Sequence, residues 1–218
     1  MAIEHSAANS SAASFVATVL REEILTSGLA EGERLLQDAT ASRFGVSQMV
    51  VREAFQELLF AGFLVAEPRR GVRVAQLDAM SAQETTVLRS LLEPCLFNAA
   101  IPHMTKDDFD KADTILDAID AGGSIDEKLI LSASFHDLLY ARANRERFAG
   151  VVRQLRASFE RYLRLPIVDD AFARRSHREH EEILACCREQ RASEGAIILR
   201  EHILATGAMI VGYLQNRT

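Results

Sequence analysis

Apolar residues recur with a helical period in the first part of the chain. They predict one helix over residues 15–26, a shorter one over 35–44 and a third over 47–61. Gly45 ends the second helix, and Ser47 is a good N-cap for the third. Because a short connection that contains glycine joins these two helices, their spacing is that of a helix-turn-helix.

The apolar period changes from helical to alternating after Gly62. Residues 63–65 and 72–74 are short strand candidates, and the sequence between them includes Glu-Pro-Arg-Arg-Gly, a basic turn. Three helices followed by a basic hairpin predict a winged helix.

From residue 81 onward the pattern is helical throughout. Six helices are predicted, near residues 81–100, 105–121, 126–142, 146–165, 169–189 and 193–215. The expected fold is therefore mainly α, with an N-terminal winged helix-turn-helix domain (14–75), a linker (76–80) and a C-terminal all-α six-helix bundle (81–218). Residues 1–13 are rich in Ala and Ser, so we expect a disordered tail there.

The net charge of −6 at first argues against a nucleic-acid partner. Its distribution changes this picture, since residues 43–75 contain five arginines and three glutamates, a local balance of +2. Only that face needs to meet phosphate, and a weakly charged DNA-binding domain is expected to depend on dimerisation.

The three cysteines show no disulfide framework, and an odd number fits a reducing compartment, so we expect a cytoplasmic protein. The longest apolar candidate for a membrane span, residues 203–214, is too short and contains two glycines. No membrane partner is therefore expected.

Residues 20–75 read LREEILTSGLAEGERLLQDATASRFGVSQMVVREAFQELLFAGFLVAEPRRGVRVA. This stretch resembles the winged helix of the GntR superfamily of transcription regulators. RSLLEP at 89–94, FHDLLYARAN at 135–144, and His180 followed by His202 resemble the FCD effector domain of its FadR-like branch. The resemblance implies a transcription regulator rather than an enzyme: a homodimeric repressor of double-stranded operator DNA, controlled by a small carboxylate effector in the helical domain.

In helix-turn-helix proteins the start of the second helix reaches base edges. The candidate DNA-binding residues here are Arg43, Ser47, Gln48, Met49, Val50, Arg52, Arg70 and Gly71. The family usually has Ser-Arg-Thr-Pro-Val-Arg where this chain has Ser-Gln-Met-Val-Val-Arg, so a base-reading Arg is replaced by Gln48 and a phosphate-binding Thr by Met49. These changes predict an operator sequence different from that of typical family members. Taken singly, the arginines could also form an ordinary solvated face.

Three histidines of the helical domain lie on apolar stripes of three different helices. Because burial of His136, His180 and His202 without partners costs free energy, their convergence suits Zn²⁺ or a similar divalent ion. Metal-binding FCD domains are similar, with an Asp one turn before the first histidine; this chain has Ser132 there. We expect a three-histidine site completed by water or by the effector; the alternative is a metal-free pocket in which the histidines bind an anion.

Arg89 matches a family position that often pairs with the effector's carboxylate. A salt bridge with Glu93 at i+4 is the equally weighted alternative. His177, one turn before His180, is expected to be a surface residue rather than a substitute ligand.

Two other functions remain open at this point. A three-histidine metal site could activate water in a hydrolase; against this, the neighbouring acids Asp137, Glu179, Glu181 and Glu201 are expected to point away from the histidines. Alternatively, the changes at Gln48 and Met49 could mark a ligand-binding interaction protein whose DNA-reading head has degenerated.

Overall fold

The computed structural model describes residues 2–67, 71–165 and 170–217 of the chain. The chain divides into two compact units, residues 1–77 and 78–218. Leu77 is held in the first unit by a hydrogen bond from its backbone N–H to Glu31, 3.0 Å. Asp78 is already the N-cap of the next helix, so the connection is shorter than the linker expected over 76–80.

The first unit combines three helices with a small antiparallel sheet. Its elements are α1 (Ala2–Leu25), β1 (Arg34–Leu35), α2 (Gln37–Phe44), α3 (Gln48–Phe60), β2 (Leu64–Glu67) and β3 (Gly71–Val74). The strand order is β1-β3-β2. Apolar faces of the helices and sheet share one core, in which Val16, Leu20, Phe55 and Phe63 are buried. The fold is the predicted winged helix-turn-helix.

The wing contains a strand that the sequence pattern did not reveal. Leu35 was predicted to begin the second helix, but it pairs with Val72 in β3, and α2 begins at Gln37. Leu35 is buried as a strand residue in the core. A two-residue strand has no period of its own, and its partner lies far along the chain, so local patterning could not identify it.

Helix α1 begins at Ala2, so most of the stretch predicted as a disordered tail (1–13) continues this helix. Ala13 is buried against the core and lies one turn before Val16 and Ala17 on the same face. Alanine also has the highest intrinsic helix propensity, which favours extension of α1 through this Ala-rich stretch.

The second unit is all helical. Its elements are α4 (Ala79–Ala100), a 3₁₀ turn (Ile101–His103), α5 (Lys106–Asp120), α6 (Ile125–Tyr140), α7 (Glu146–Phe159), a second 3₁₀ turn (Glu160–Arg164), α8 (Asp170–Arg188) and α9 (Ala192–Asn216). The six predicted helices are therefore all present. Aromatic and aliphatic residues from α4, α6, α8 and α9 form their common core.

Helix α9 is long and apolar enough to cross a membrane by length and composition, with a mean hydropathy of 1.4 over 18 residues. The apolar stretch 203–214 that the sequence offers as a candidate span covers only part of this helix. Leu199, Ile203, Ile210 and Leu214 of this helix are buried within the second unit. We therefore assign α9 as a core helix of this unit, because a core helix can be as long and as apolar as a helix that spans a membrane.

Close approach of α9 to α4 depends on Gly207. A Cβ atom at this position would lie 2.7 Å from the Cβ of Thr86, a buried residue of α4. Because Thr86 is β-branched and bonds the carbonyl of Ala82 (2.8 Å), it cannot rotate out of the way. The helices would have to separate to admit the methyl group.

We therefore expect Gly207→Ala to lower the free energy of unfolding by about 1–3 kcal/mol through overpacking. Gly212→Ala on the same helix is the matched control, since a Cβ there meets no atom within 4 Å. The control should be neutral or stabilising by up to about 1 kcal/mol because Ala is the better helix former. Thermal unfolding followed by circular dichroism measures both; equal effects would contradict the close approach of α4 and α9.

Candidate functional site

The two helices of the helix-turn-helix are set by their caps. Gly45 ends α2, and the hydroxyl of Ser47 accepts a hydrogen bond from the backbone N–H of Val50 (3.4 Å) at the start of α3. This N-cap satisfies one of the first amide groups of α3. The predicted recognition helix is therefore present, and it begins where the sequence placed it.

Four of the predicted DNA-binding residues at the start of α3 are exposed, namely Ser47, Gln48, Met49 and Arg52. Val50 was predicted to reach DNA, but it is only 3% exposed and belongs to the core of the first unit. The reason is its helical phase, since Val50 lies on the same face as Ala54 and Leu58, which are also buried. Val50 therefore packs in the core beneath the exposed residues at the start of α3.

Two exposed side chains of α3 already have protein contacts. The amide Nε2 of Gln48 donates to Oδ1 of Asp38 in α2 at 2.5 Å, which orients the Gln48 side chain. The guanidinium of Arg52 lies 3.8 Å from the sulfur of Met49. Met49 and Arg52 thus form a neighbouring apolar and cationic pair on the exposed face, able to touch a thymine methyl and a guanine respectively.

Arg43 is paired within the protein. Its Nη1 donates to Oε2 of Glu23 in α1 at 2.9 Å, its Nη2 donates to the other carboxylate oxygen, and its guanidinium lies 4.9 Å from the Phe44 ring centroid. The hydrogen bond to Glu23 raises the pKa of Arg43. A phosphate contact by Arg43 would have to compete with this carboxylate.

The wing carries two arginines that the sequence-based site did not include. Arg34 and Arg73 face each other across β1 and β3, and both contact the carboxylate of Glu67, at 3.1 and 3.3 Å. Gly71 begins β3 with φ +89°, a conformation that favours glycine. Arg70 lies outside the described residues. Pairing between β1 and β3 brings Arg34 to the wing, so no local signal could have found it.

In the second unit, His136 of α6, His180 of α8 and His202 of α9 converge. Their ring centroids are 4.8–5.5 Å apart, and one nitrogen from each ring lies within 4.8 Å of the other two. All three are at most 7% exposed. The predicted three-histidine cluster is therefore formed in the structure.

Two of these imidazoles are oriented by hydrogen bonds outside the cluster. Nδ1 of His202 lies 2.6 Å from Oε2 of Glu179, and Nδ1 of His136 lies 3.3 Å from the hydroxyl of Tyr140. The Tyr140 hydroxyl donates in turn to Glu93, 2.6 Å. Such outer partners are typical of metal-ligating histidines, because they fix the tautomer and leave the other ring nitrogen for the ion.

Glu179 corrects the expectation that the acidic neighbours of the histidines point away from them. Glu179 points away from His180 on its own helix, but its carboxylate contacts Nδ1 of His202 on α9. Burial opposes ionisation of Glu179, yet the hydrogen bond and charge of His202 outweigh this and lower its pKa. The other three acids, Asp137, Glu181 and Glu201, are exposed.

His180 is the most unusual member of the cluster. Both of its ring nitrogens are buried without a hydrogen-bond partner in the described part of the chain. Burial, reinforced by nearby cations such as Arg156, lowers the pKa of His136 and His180 well below the ordinary imidazole value. Both rings are therefore neutral, which is the form that coordinates a metal.

The donor set fits a divalent ion of the zinc type. With Zn–N distances of about 2.0–2.1 Å, the nitrogens of a tetrahedral site are about 3.4 Å apart. In the structure one nitrogen from each ring lies within 4.8 Å of the other two, so the three rings would have to draw closer together to hold the ion. Three histidine ligands leave further coordination positions for water or a ligand.

Arg89 forms the salt bridge that was one of its two predicted roles. It is buried, its Nε donates to Oε1 of Glu93 at 2.6 Å, and its guanidinium lies 4.8 Å from the Phe159 ring centroid. Glu93 is fully buried and also accepts from Tyr140. A continuous chain of contacts therefore runs from Arg89 through Glu93 and Tyr140 to His136.

A winged helix-turn-helix and a separate helical unit with a buried polar cluster define the class of DNA-binding transcription regulators with a sensing domain. Residues 12–74 match the family described as "Bacterial regulatory proteins, gntR family", and residues 84–205 match the FCD domain. The chain therefore belongs to the GntR family, with an FCD domain as its second unit.

Several relatives are similar over most of the chain. The Nta operon transcriptional regulator of Aminobacter aminovorans is 27% identical over 176 residues, 79% of this chain and 81% of that protein. The HTH-type transcriptional repressor RspR of Escherichia coli (strain K12) is 26% identical over 147 residues, 66% of this chain and 64% of that protein.

Solved structures share the fold. E. coli McbR/YncC aligns over 94% of this chain and 98% of that one, with a TM-score of 0.76 and 21% identity. A GntR family member from Pseudomonas syringae pv. tomato str. DC3000 aligns over 94% of this chain and 88% of that one, with a TM-score of 0.55 and 27% identity.

The family and its relatives are transcription regulators and not enzymes. This finding confirms the predicted class of protein and removes the hydrolase alternative.

Proposed function

We propose that this regulator is a homodimeric, cytoplasmic repressor whose operator affinity is lowered by a small organic acid bound in the FCD domain. The observation that carries the proposal is the buried histidine cluster, linked by hydrogen bonds to Arg89, in a chain that also has a winged helix. A sensing role explains why neutral, incompletely partnered imidazoles are kept inside a helical core.

On the DNA side, Gln48, Met49 and Arg52 are the residues proposed to read base edges. Ser47 caps α3, and Arg34 and Arg73 supply positive charge on the wing. Because Arg43 is paired with Glu23, we assign it a supporting role in joining α1 to α2. Departure from the usual family sequence at Gln48 and Met49 supports an operator different from that of typical relatives.

On the effector side, we propose that His136, His180 and His202 hold a divalent metal, with Zn²⁺ the expected ion. When bound, the metal supplies a Lewis-acidic position for water or a carboxylate. Glu179 and Tyr140 orient two of the three imidazoles. Since Nε of Arg89 is used by Glu93, an effector carboxylate would meet the remaining edge of this guanidinium.

Dimerisation is proposed to use an apolar stripe on α4. Val87, Leu88 and Leu91 are 45–55% exposed, and Cys95 continues the stripe one turn further. Neighbouring exposed apolar residues on one helix mark an interaction surface more often than isolated ones. A two-fold dimer needs only one such self-complementary face and matches a near-palindromic operator.

Operator binding is tested by fluorescence anisotropy with the DNA upstream of the protein's own gene. We expect binding by the parent protein and a weakening of about ten- to one-hundredfold in Arg52→Ala, from loss of a base contact. Arg147→Ala removes an exposed arginine from the second unit and should bind like the parent. An organic acid effector should release the DNA. A folded dimer that shows no binding at low salt would refute the operator claim and favour a degenerate reading head.

Metal binding is tested by competition between the protein and a chromophoric zinc chelator. Glu179→Gln should weaken zinc binding by about ten- to one-hundredfold because it removes the carboxylate that orients His202. Glu182→Gln, an exposed change on the same helix, is the matched control and should bind like the parent. If the parent takes up no zinc, or if the two variants behave alike, the metal proposal is wrong.

The dimer is tested by light scattering after size-exclusion chromatography. Leu91→Asp places a charge in the centre of the α4 stripe and should yield folded monomers. Ile130→Asp changes an isoleucine of similar exposure on α6 and should leave the dimer intact. A Leu91→Asp protein that remains dimeric would exclude this face as the interface.

A further inference from the structure

The first residue of the recognition helix is held by a carboxylate from the helix before it. Gln48 begins α3, and Asp38 lies in the first turn of α2; both side chains are exposed. Nε2 of Gln48 donates to Oδ1 of Asp38 at 2.5 Å. Because a carboxylate accepts hydrogen bonds and does not donate them, the nitrogen half of the amide must face Asp38.

This contact removes the usual ambiguity of a glutamine side chain. A free glutamine amide can turn over and present either its oxygen or its nitrogen to a partner. In the pair with Asp38 one amide hydrogen is already used, so Gln48 can offer a base its oxygen and one remaining hydrogen. The contact therefore fixes Gln48 as one acceptor beside one donor.

Adenine and guanine differ in what they require from such an amide. The major-groove edge of adenine carries an acceptor, N7, and a donor, the N6 amino group, whereas that of guanine carries two acceptors, N7 and O6. Adenine pairs with the amide oxygen and with the hydrogen on the same side as that oxygen, which leaves the other hydrogen for Asp38. Guanine would bring its O6 against the amide oxygen of Gln48, so the fixed amide disfavours it.

We propose that Asp38 is a positioning residue for operator recognition, and that it makes Gln48 specific for adenine over guanine. The proposal rests on the proposed function, in which Gln48 reads a base edge. Asp38 does not need to touch the DNA, because it acts through the orientation of the Gln48 amide.

The charge of Asp38 supports a role in specificity rather than in affinity. The helix that precedes a recognition helix crosses the DNA backbone, so a negative charge at its start opposes binding to every sequence. An acid in the first turn also favours α2 through the helix dipole, but that effect is the same for every operator. A change in base preference therefore distinguishes the positioning of Gln48 from the stabilisation of α2.

The test is selection of duplexes from a randomised DNA library by the full-length protein, followed by fluorescence anisotropy with the selected duplex and its single base-pair variants. The base pair read by Gln48 is the one at which Gln48→Ala loses its preference. There the parent should prefer adenine to guanine about tenfold, and Asp38→Ala should reduce this ratio to about twofold or less. The guanine preference conferred by Arg52 at its own base pair should stay unchanged.

Further variants separate the orientation of the amide from the loss of a charge. In Asp38→Asn the new amide can donate as well as accept, so Gln48 can turn over, and the ratio should again fall below that of the parent. In the Gln48→Ala background, Asp38→Ala should change no base preference, since the residue through which it acts is absent. Glu57→Ala removes an equal charge from an exposed position further along α3 and should keep the parental ratio.

The outcomes distinguish this inference from the proposed function. A parental adenine-to-guanine ratio in folded Asp38→Ala would overturn the inference and leave the regulator proposal standing. An equal change in affinity for all duplexes, or a parent without a preference for adenine at the base pair read by Gln48, would do the same. A folded parent that selects no sequence at low salt would contradict both the operator proposal and this inference.

Discussion

Burial of three imidazoles in one helical core is the constraint on which the second unit depends. Each buried polar ring must find partners or lose stability. Glu179 and Tyr140 satisfy the outer nitrogens of His202 and His136, whereas His180 has no partner among the described residues. The arrangement is therefore incomplete as a purely structural core. The partner that we propose is a divalent ion held by the three rings.

The same network explains how two parts of the sensing domain can influence each other. His136, Tyr140, Glu93 and Arg89 form one continuous series of contacts, and Glu93 has no exposure to solvent. A ligand that draws the guanidinium of Arg89 away from Glu93 would change the environment of the Tyr140 hydroxyl that orients His136. Such coupling between neighbouring sites requires only that the ligand binds the two arrangements with different affinity.

Much of this organisation could be predicted from the sequence, because helical periods and caps are local signals. The helix-turn-helix, the six helices of the FCD domain and the convergence of the three histidines all follow from apolar periodicity. Leu35 and Glu179 could not be placed in this way, since their partners come from distant segments. The burial of Val50, in contrast, is predictable from the sequence, because its spacing from Ala54 and Leu58 places it on the inward face of α3. Consecutive residues of a helix point in different directions, so Ser47 to Val50 cannot all face the DNA.

X-ray absorption at the zinc edge, together with the metal content of the purified full-length protein, tests the central claim most directly. Our account predicts about one zinc ion per chain, coordinated by three imidazole nitrogens and completed by lighter oxygen ligands. A folded protein that contains no zinc and takes up none when the metal is supplied would contradict it, as would a spectrum that lacks imidazole coordination.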